Sequence, residues 1–84
     1  MAQKTLFFVQ PYLMRKQKLQ ADGARTFIND GEALQVGADL ARWRAGVVVM
    51  SQSYDTERQV LGRPQVLRIH GQVPDEWGAG RQAA

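Results

Sequence analysis

Apolar residues in this chain gather in three patterns. Leu6-Phe7-Phe8-Val9 and Val47-Val48-Val49-Met50 are short runs of aromatic and β-branched residues with polar neighbours, which predicts strands. Between them the spacing changes. Ala33, Val36, Gly37, Leu40, Ala41 and Trp43 share one side at about 100° per residue, and Gln35, Asp39 and Arg42 share the other. That predicts an amphipathic helix over Asn29–Gly46. Asn29 or Asp30 can cap it by accepting from free amides of the first turn. With Asn29 as cap, Glu32 stands where it can reach back as in a capping box. Gly46 suits the left-handed residue that closes a helix, with Arg42 and Arg44 near the carbonyl end.

The first strand extends over Lys4–Met14 and is apolar on both sides. Leu6, Phe8, Tyr12 and Met14 face one way; Phe7, Val9, Pro11 and Leu13 face the other. Pro11 cannot donate to a ladder, so an edge or a bulge is expected there. Arg15-Lys16-Gln17-Lys18 reads as a polar hairpin turn without the Asn-Gly signature. Leu19–Ala21 begins the return strand, Asp22-Gly23 interrupts it, and Arg25–Ile28 completes it. After the helix, Val47–Tyr54 places Val48, Met50 and Tyr54 on one face and Val47, Val49, Ser51 and Ser53 on the other. A polar loop over Asp55–Gly62 ends at Gly62-Arg63-Pro64. Gln65–Gly71 is the last strand, with Leu67 and Ile69 opposite Val66, Arg68 and His70. Val73–Trp77 then leaves the sheet edge, with Trp77 placed to fold back on the core. Gly78–Ala84 is small and polar enough to be a disordered tail.

Strand, strand, helix, strand, strand predicts one α+β domain over residues 1–77: a two-layer ββαββ fold with a mainly antiparallel four-stranded sheet and one helix on one face. The other sheet face then has no helix to cover it. Soluble monomers seldom leave a large contiguous apolar patch bare, so that face is expected to bind something. The elements Ala41, Gly46-Val47-Val48-Val49, Asp55, Pro64-Gln65-Val66-Leu67 and His70-Gly71-Gln72-Val73-Pro74 together resemble a set of short proteobacterial proteins of unassigned function. The resemblance implies a small free-standing domain and carries no functional residues across.

Composition narrows the choices. An 84-residue chain buries only about 60–65% of its unfolded surface. Domains of this size often add a disulfide, a metal or a second copy. There is no cysteine, and His70 is the only histidine, so disulfides and thiolate metal sites are excluded. A second copy is the supplement that remains. No apolar run approaches the roughly 20 residues of a membrane-spanning helix. Lys4 followed by Leu6–Val9 resembles the start of a secretory signal, but Gln10, Pro11 and Arg15 cut it short, so the expectation is cytoplasmic, with no membrane partner. The net charge of +3 is uneven: residues 1–28 carry +4 and the remainder −1. A basic excess there can mean an acidic partner or nucleic acid, but a solvated hairpin tip is the simpler account.

Candidate chemistry is sparse. Ser51 and Ser53 with His70 could meet across strands, but no nucleophile elbow is present, and a solvated sheet side explains them without catalysis. Asp55 with Glu57 and Asp75 with Glu76 lack the ligand spacing of a calcium loop. No phosphate-cradling glycine motif or cofactor fingerprint occurs, so no cofactor is expected. The expected function is therefore a non-enzymatic interaction domain, homodimeric through an open sheet face or edge, with another protein partner as an extension. Its candidate surface is Phe7, Phe8, Val9, Tyr12 and Leu13. The alternative is weak single-stranded nucleic-acid binding by sheet aromatics (Phe7 or Phe8, Tyr12, Phe27, Tyr54) and a basic patch of Arg15, Lys16, Lys18 and Arg25. The element order differs from the RNA-recognition sheet, and the charge is low for a phosphate binder.

Overall fold

A long strand, β1 (Gln3–Arg15), runs through the middle of the sheet. The computed structural model describes residues 3–77, so the tail expected over 78–84 lies outside the described residues. β1 pairs antiparallel with β4 (Gly46–Asp55), in register from Gln3 opposite Asp55 to Tyr12 opposite Gly46. Its other side is lined by β2 (Lys18–Ala21) and β3 (Arg25–Phe27). The far side of β4 carries β5 (Val60–Leu61) and β6 (Gln65–Gly71). The helix α1 spans Asp30–Leu40, and a short 3₁₀ turn closes the described chain at Asp75–Trp77.

The fold is α+β with a mainly antiparallel sheet, as expected, but it has six strands rather than four. Each edge strand is split. Asp22-Gly23-Ala24 separates β2 from β3, and Gly62-Arg63-Pro64 separates β5 from β6. Pro11 explains the first break. The Asp22 amide donates to the Pro11 carbonyl at 2.9 Å, so the backbone edge of Pro11 faces this interruption. The missing N–H therefore costs no bond in the β1–β4 ladder. Gln10 fastens the same point, its side-chain amide donating to the Asp22 carbonyl at 2.6 Å and the Pro11 carbonyl at 2.9 Å.

The hairpin between β1 and β2 turns on Lys16 (φ 52°) and Gln17 (φ 65°). Two left-handed central residues are what a two-residue turn of the I′ type requires, here without Asn or Gly to ease the strain.

Asn29 is the helix cap: its Oδ1 accepts from the Glu32 amide at 3.1 Å. The predicted C-terminus is corrected. The helix stops at Leu40 because Ala41 stays right-handed and the chain tightens, with the Arg42 amide donating to Asp39 O and the Trp43 amide to Leu40 O. Trp43 is consequently not on the buried helix face. It is 74% exposed, with the Arg42 guanidinium 5.9 Å from its ring centroid. Gly46 does not close the helix either. It opens β4 opposite Gly71, and a Cβ there would strike the backbone of Gln72. Gly71 has φ +66°, and a Cβ on it would meet Ala45 O.

β4 is buried on both faces over Gly46–Met50, which is why its sequence reads as a continuous apolar run. On the helix side, Val9, Ala33, Val47 and Val49 form one cluster, with Phe7, Phe27, Leu34, Leu40 and Ala41 around it. On the opposite side, Tyr12, Val48, Met50 and Val73 form a second, with Phe8, Leu19, Val66, Ile69 and Trp77 around it. β6 departs from simple alternation. A bulge shifts its register between Val49 opposite Arg68 and Met50 opposite Val66. Val66 and Ile69 therefore share the second cluster, and Leu67 is left exposed instead of pairing with Ile69.

Candidate functional site: the helix-free sheet face

β-Alternation gives the side of the sheet away from α1 a mainly apolar covering, interrupted by Gln10 and Gln52. Phe8, Tyr12 and Met14 come from β1, Leu19 from β2, Val48 and Met50 from β4, and Val66 and Ile69 from β6. The segment after β6 folds across part of it. Val73 is buried there, and Trp77 Nε1 donates to the Tyr12 hydroxyl at 2.6 Å. The face expected to be bare is thus half-strapped, not open from end to end. What remains uncovered is a shallow groove of about 290 Å³ lined by Phe8, Met50, Pro64 and Trp77, with Gln10, Ala24 and Gln52 at its rim. Met14 at one end of the face is 46% exposed. Gln52 is held in place by donating to Gly62 O at 2.8 Å.

The five surface candidates do not share one side. Phe8 and Tyr12 belong to the helix-free cluster, with Tyr12 buried. Phe7 and Val9 pack beneath the helix, Val9 with no exposure at all, and Leu13 alternates to that same side. Only Phe8 of the five borders the uncovered groove. Sequence reasoning put Met50 on one of the two faces that could lie open, but missed Pro64 and Trp77 as groove residues. Trp77's return to the core was the one available signal, because an apolar aromatic after the last strand has no other apolar surface to meet.

The basic candidates Arg15, Lys16 and Lys18 are exposed at the hairpin tip, and Arg25 is exposed on β3. The aromatics of the nucleic-acid reading are divided between faces: Phe7 and Phe27 lie under the helix, Phe8 and Tyr12 on the other side. Asp22 is the perturbed titratable group. Its carboxyl is held below the usual value by the Gly23 amide, which donates to Oδ1 at 2.9 Å, and by Arg44, whose Nε donates to Oδ2 at 2.9 Å. This pair ties the chain after the helix to the β2–β3 break.

Ser51, Ser53 and His70 all lie on the helix side but do not meet. His70 is opposite Val47, four residues and about 13 Å along β4 from Ser51. Among the described residues, no three His, Asp or Glu side chains gather as a metal site, and no helix is long and apolar enough to cross a membrane.

These features define the class: a small α+β domain whose curled antiparallel sheet is covered by one helix on one face and by a short strap on the other. Comparison with known proteins finds no matching family model, no matching curated protein and no matching solved structure.

Proposed function

We propose that this protein is a non-enzymatic interaction domain that self-associates, two copies stacking their helix-free sheet faces. The observation that carries the reading is the half-covered apolar face, with Phe8, Met50, Pro64 and Trp77 around the open groove. A second copy is the occupant favoured by size: an 84-residue domain gains most by burying its own exposed apolar surface. An isologous contact would set groove against groove, with Phe8 and Trp77 of each copy meeting the partner's groove beside the strap. The edges support a face rather than an edge contact. Both are broken, one carries Lys18 and Arg25, and the other carries Pro64, Arg68 and a bulge, which are devices that discourage edge pairing.

Light scattering over a range of protein concentration tests this. The dimer mass is expected, falling to the monomer in Ala24→Glu, which puts a charge at the exposed groove rim without removing core atoms. Phe8→Ser is expected to do the same at some cost in stability, because Phe8 also packs on Met50's cluster. A monomer at every concentration refutes the reading. In that case oligonucleotide titration at low salt tests the alternative, nucleic-acid binding by this face and the Arg15/Lys16/Lys18 tip.

A further inference from the structure

On the helix side of the sheet, one helix cannot cover everything. An eleven-residue helix is about 10 Å wide, whereas the outermost of four strand positions stand about 14 Å apart. α1 lies mainly over β1 and β4, which leaves a groove between its outer flank and edge strand β6. Gly31, Leu34, Gln35 and Ala38 form the helical wall at i, i+3, i+4 and i+7, and Arg68 and His70 form the strand wall. The groove holds about 340 Å³, within the range of small-molecule sites.

We propose that this groove binds a small amphipathic anion, a molecule with a carboxylate or phosphate at one end and a compact apolar body. Arg68 and His70 are two residues apart on one side of β6, opposite Val49 and Val47, so their side chains rise about 7 Å apart toward the helix. Neither side chain has a hydrogen-bond or ion-pair partner among the described residues. The fork of the Arg68 guanidinium fits both oxygens of a carboxylate or phosphate, and His70 offers a second donor beside it. Leu34 and Ala38 give the apolar body a surface to lie on. The Gln35 amide is steadied by donating to Asp39 Oδ1 at 3.3 Å. A few converging polar groups over an apolar floor distinguish a binding groove from a merely solvated edge.

The test is amide-shift titration of the full chain with hexanoate and with phenyl phosphate; hexanol and inorganic phosphate serve as the apolar-only and anion-only controls. The expected result is saturable shifts at Leu34, Gln35, Ala38, Arg68 and His70 with one or both amphipathic anions, tighter than with either control; the better anion identifies the headgroup. Arg68→Gln should weaken that binding about tenfold, the loss typical of one charge-assisted hydrogen bond. Ala38→Phe, filling the groove from an exposed helix position, should abolish it with every charge retained. Absence of saturable shifts, equal binding of hexanol, or unchanged affinity in Arg68→Gln with an intact melting transition overturns the proposal. Arg68 and His70 would then serve only to protect the sheet edge. The groove is on the opposite face from the proposed dimer contact, so either idea can fail without the other.

Discussion

Adding one methyl group at Gly37 sets two opposing effects against each other. In an open helix, Gly→Ala stabilises by about 1 kcal/mol, because alanine loses less backbone freedom and is the better helix former. Here a Cβ would stand 2.5 Å from Val49 Cγ2 and 3.7 Å from Val47 Cγ1. Neither valine can yield easily. Both have no solvent exposure, both sit on a strand paired on each side, and a β-branched side chain has few alternative rotamers. Overpacking of this kind costs about 1–3 kcal/mol. Because neither valine yields, the upper part of that range applies, about 2–3 kcal/mol. Less the helix gain of about 1 kcal/mol, a net loss of about 1–2 kcal/mol is expected for Gly37→Ala, a fall in Tm of about 5–15 °C for a domain of this size. Urea unfolding followed by circular dichroism measures it. Val49→Ala removes the clashing methyl groups, so Gly37→Ala should be neutral or stabilising in that background. The double-mutant cycle should then show coupling of about 1 kcal/mol or more. If Gly37→Ala alone is as stable as the parent, helix and sheet are not in close contact at this point and the reasoning fails.

Two further predictions concern the β1–β2 hairpin and the break that follows it. Replacing Lys16-Gln17 by Asn-Gly should stabilise the hairpin by about 1–2 kcal/mol, since both residues now hold left-handed φ without the side chains suited to it; unchanged stability would show that the turn is not strained. The Asp22 carboxyl has a folded-state pKa below its ordinary 3.8, through the Gly23 amide first and Arg44 second. Its contribution is therefore present above that ordinary value and lost as pH falls through the lower folded one. Melting curves of the parent and Asp22→Asn should differ near neutrality and converge in acid, and a gap that persists in acid would refute the assignment.

Local signals carried much of this fold. The Asn29 cap, the interruption at Asp22-Gly23, the tight turn at Arg15–Lys18 and the strand beginning at Val47 each depend on residues within a turn or an alternating run, and each was readable from the sequence. That Val47–Met50 is buried on both faces was not, because the cover on its second face comes from the distant segment around Val73 and Trp77. The two-sided apolar character of β1 was equally plain, but which of its residues faced a ligand-accessible side was not. Alternation separates Phe7 from Phe8 without saying which side the helix will take.

Distant partners decided the rest. Gly46 and Gly71 are a glycine pair because two backbones pass close at the start of β4 and the end of β6, not because a helix must close. The bulge at Leu67 reverses the facing of half of β6, and no local pattern of apolar residues encodes where a ladder will slip. Tyr12 and Trp77 meet across most of the chain to strap the second face. The groove between α1 and β6 exists because one narrow helix settles over the central strands and leaves an edge uncovered. Periodicity and capping act over a few residues and are written into the order of the chain. Register, facing and the gaps between layers depend on how those pieces pack, and only the tertiary structure sets them.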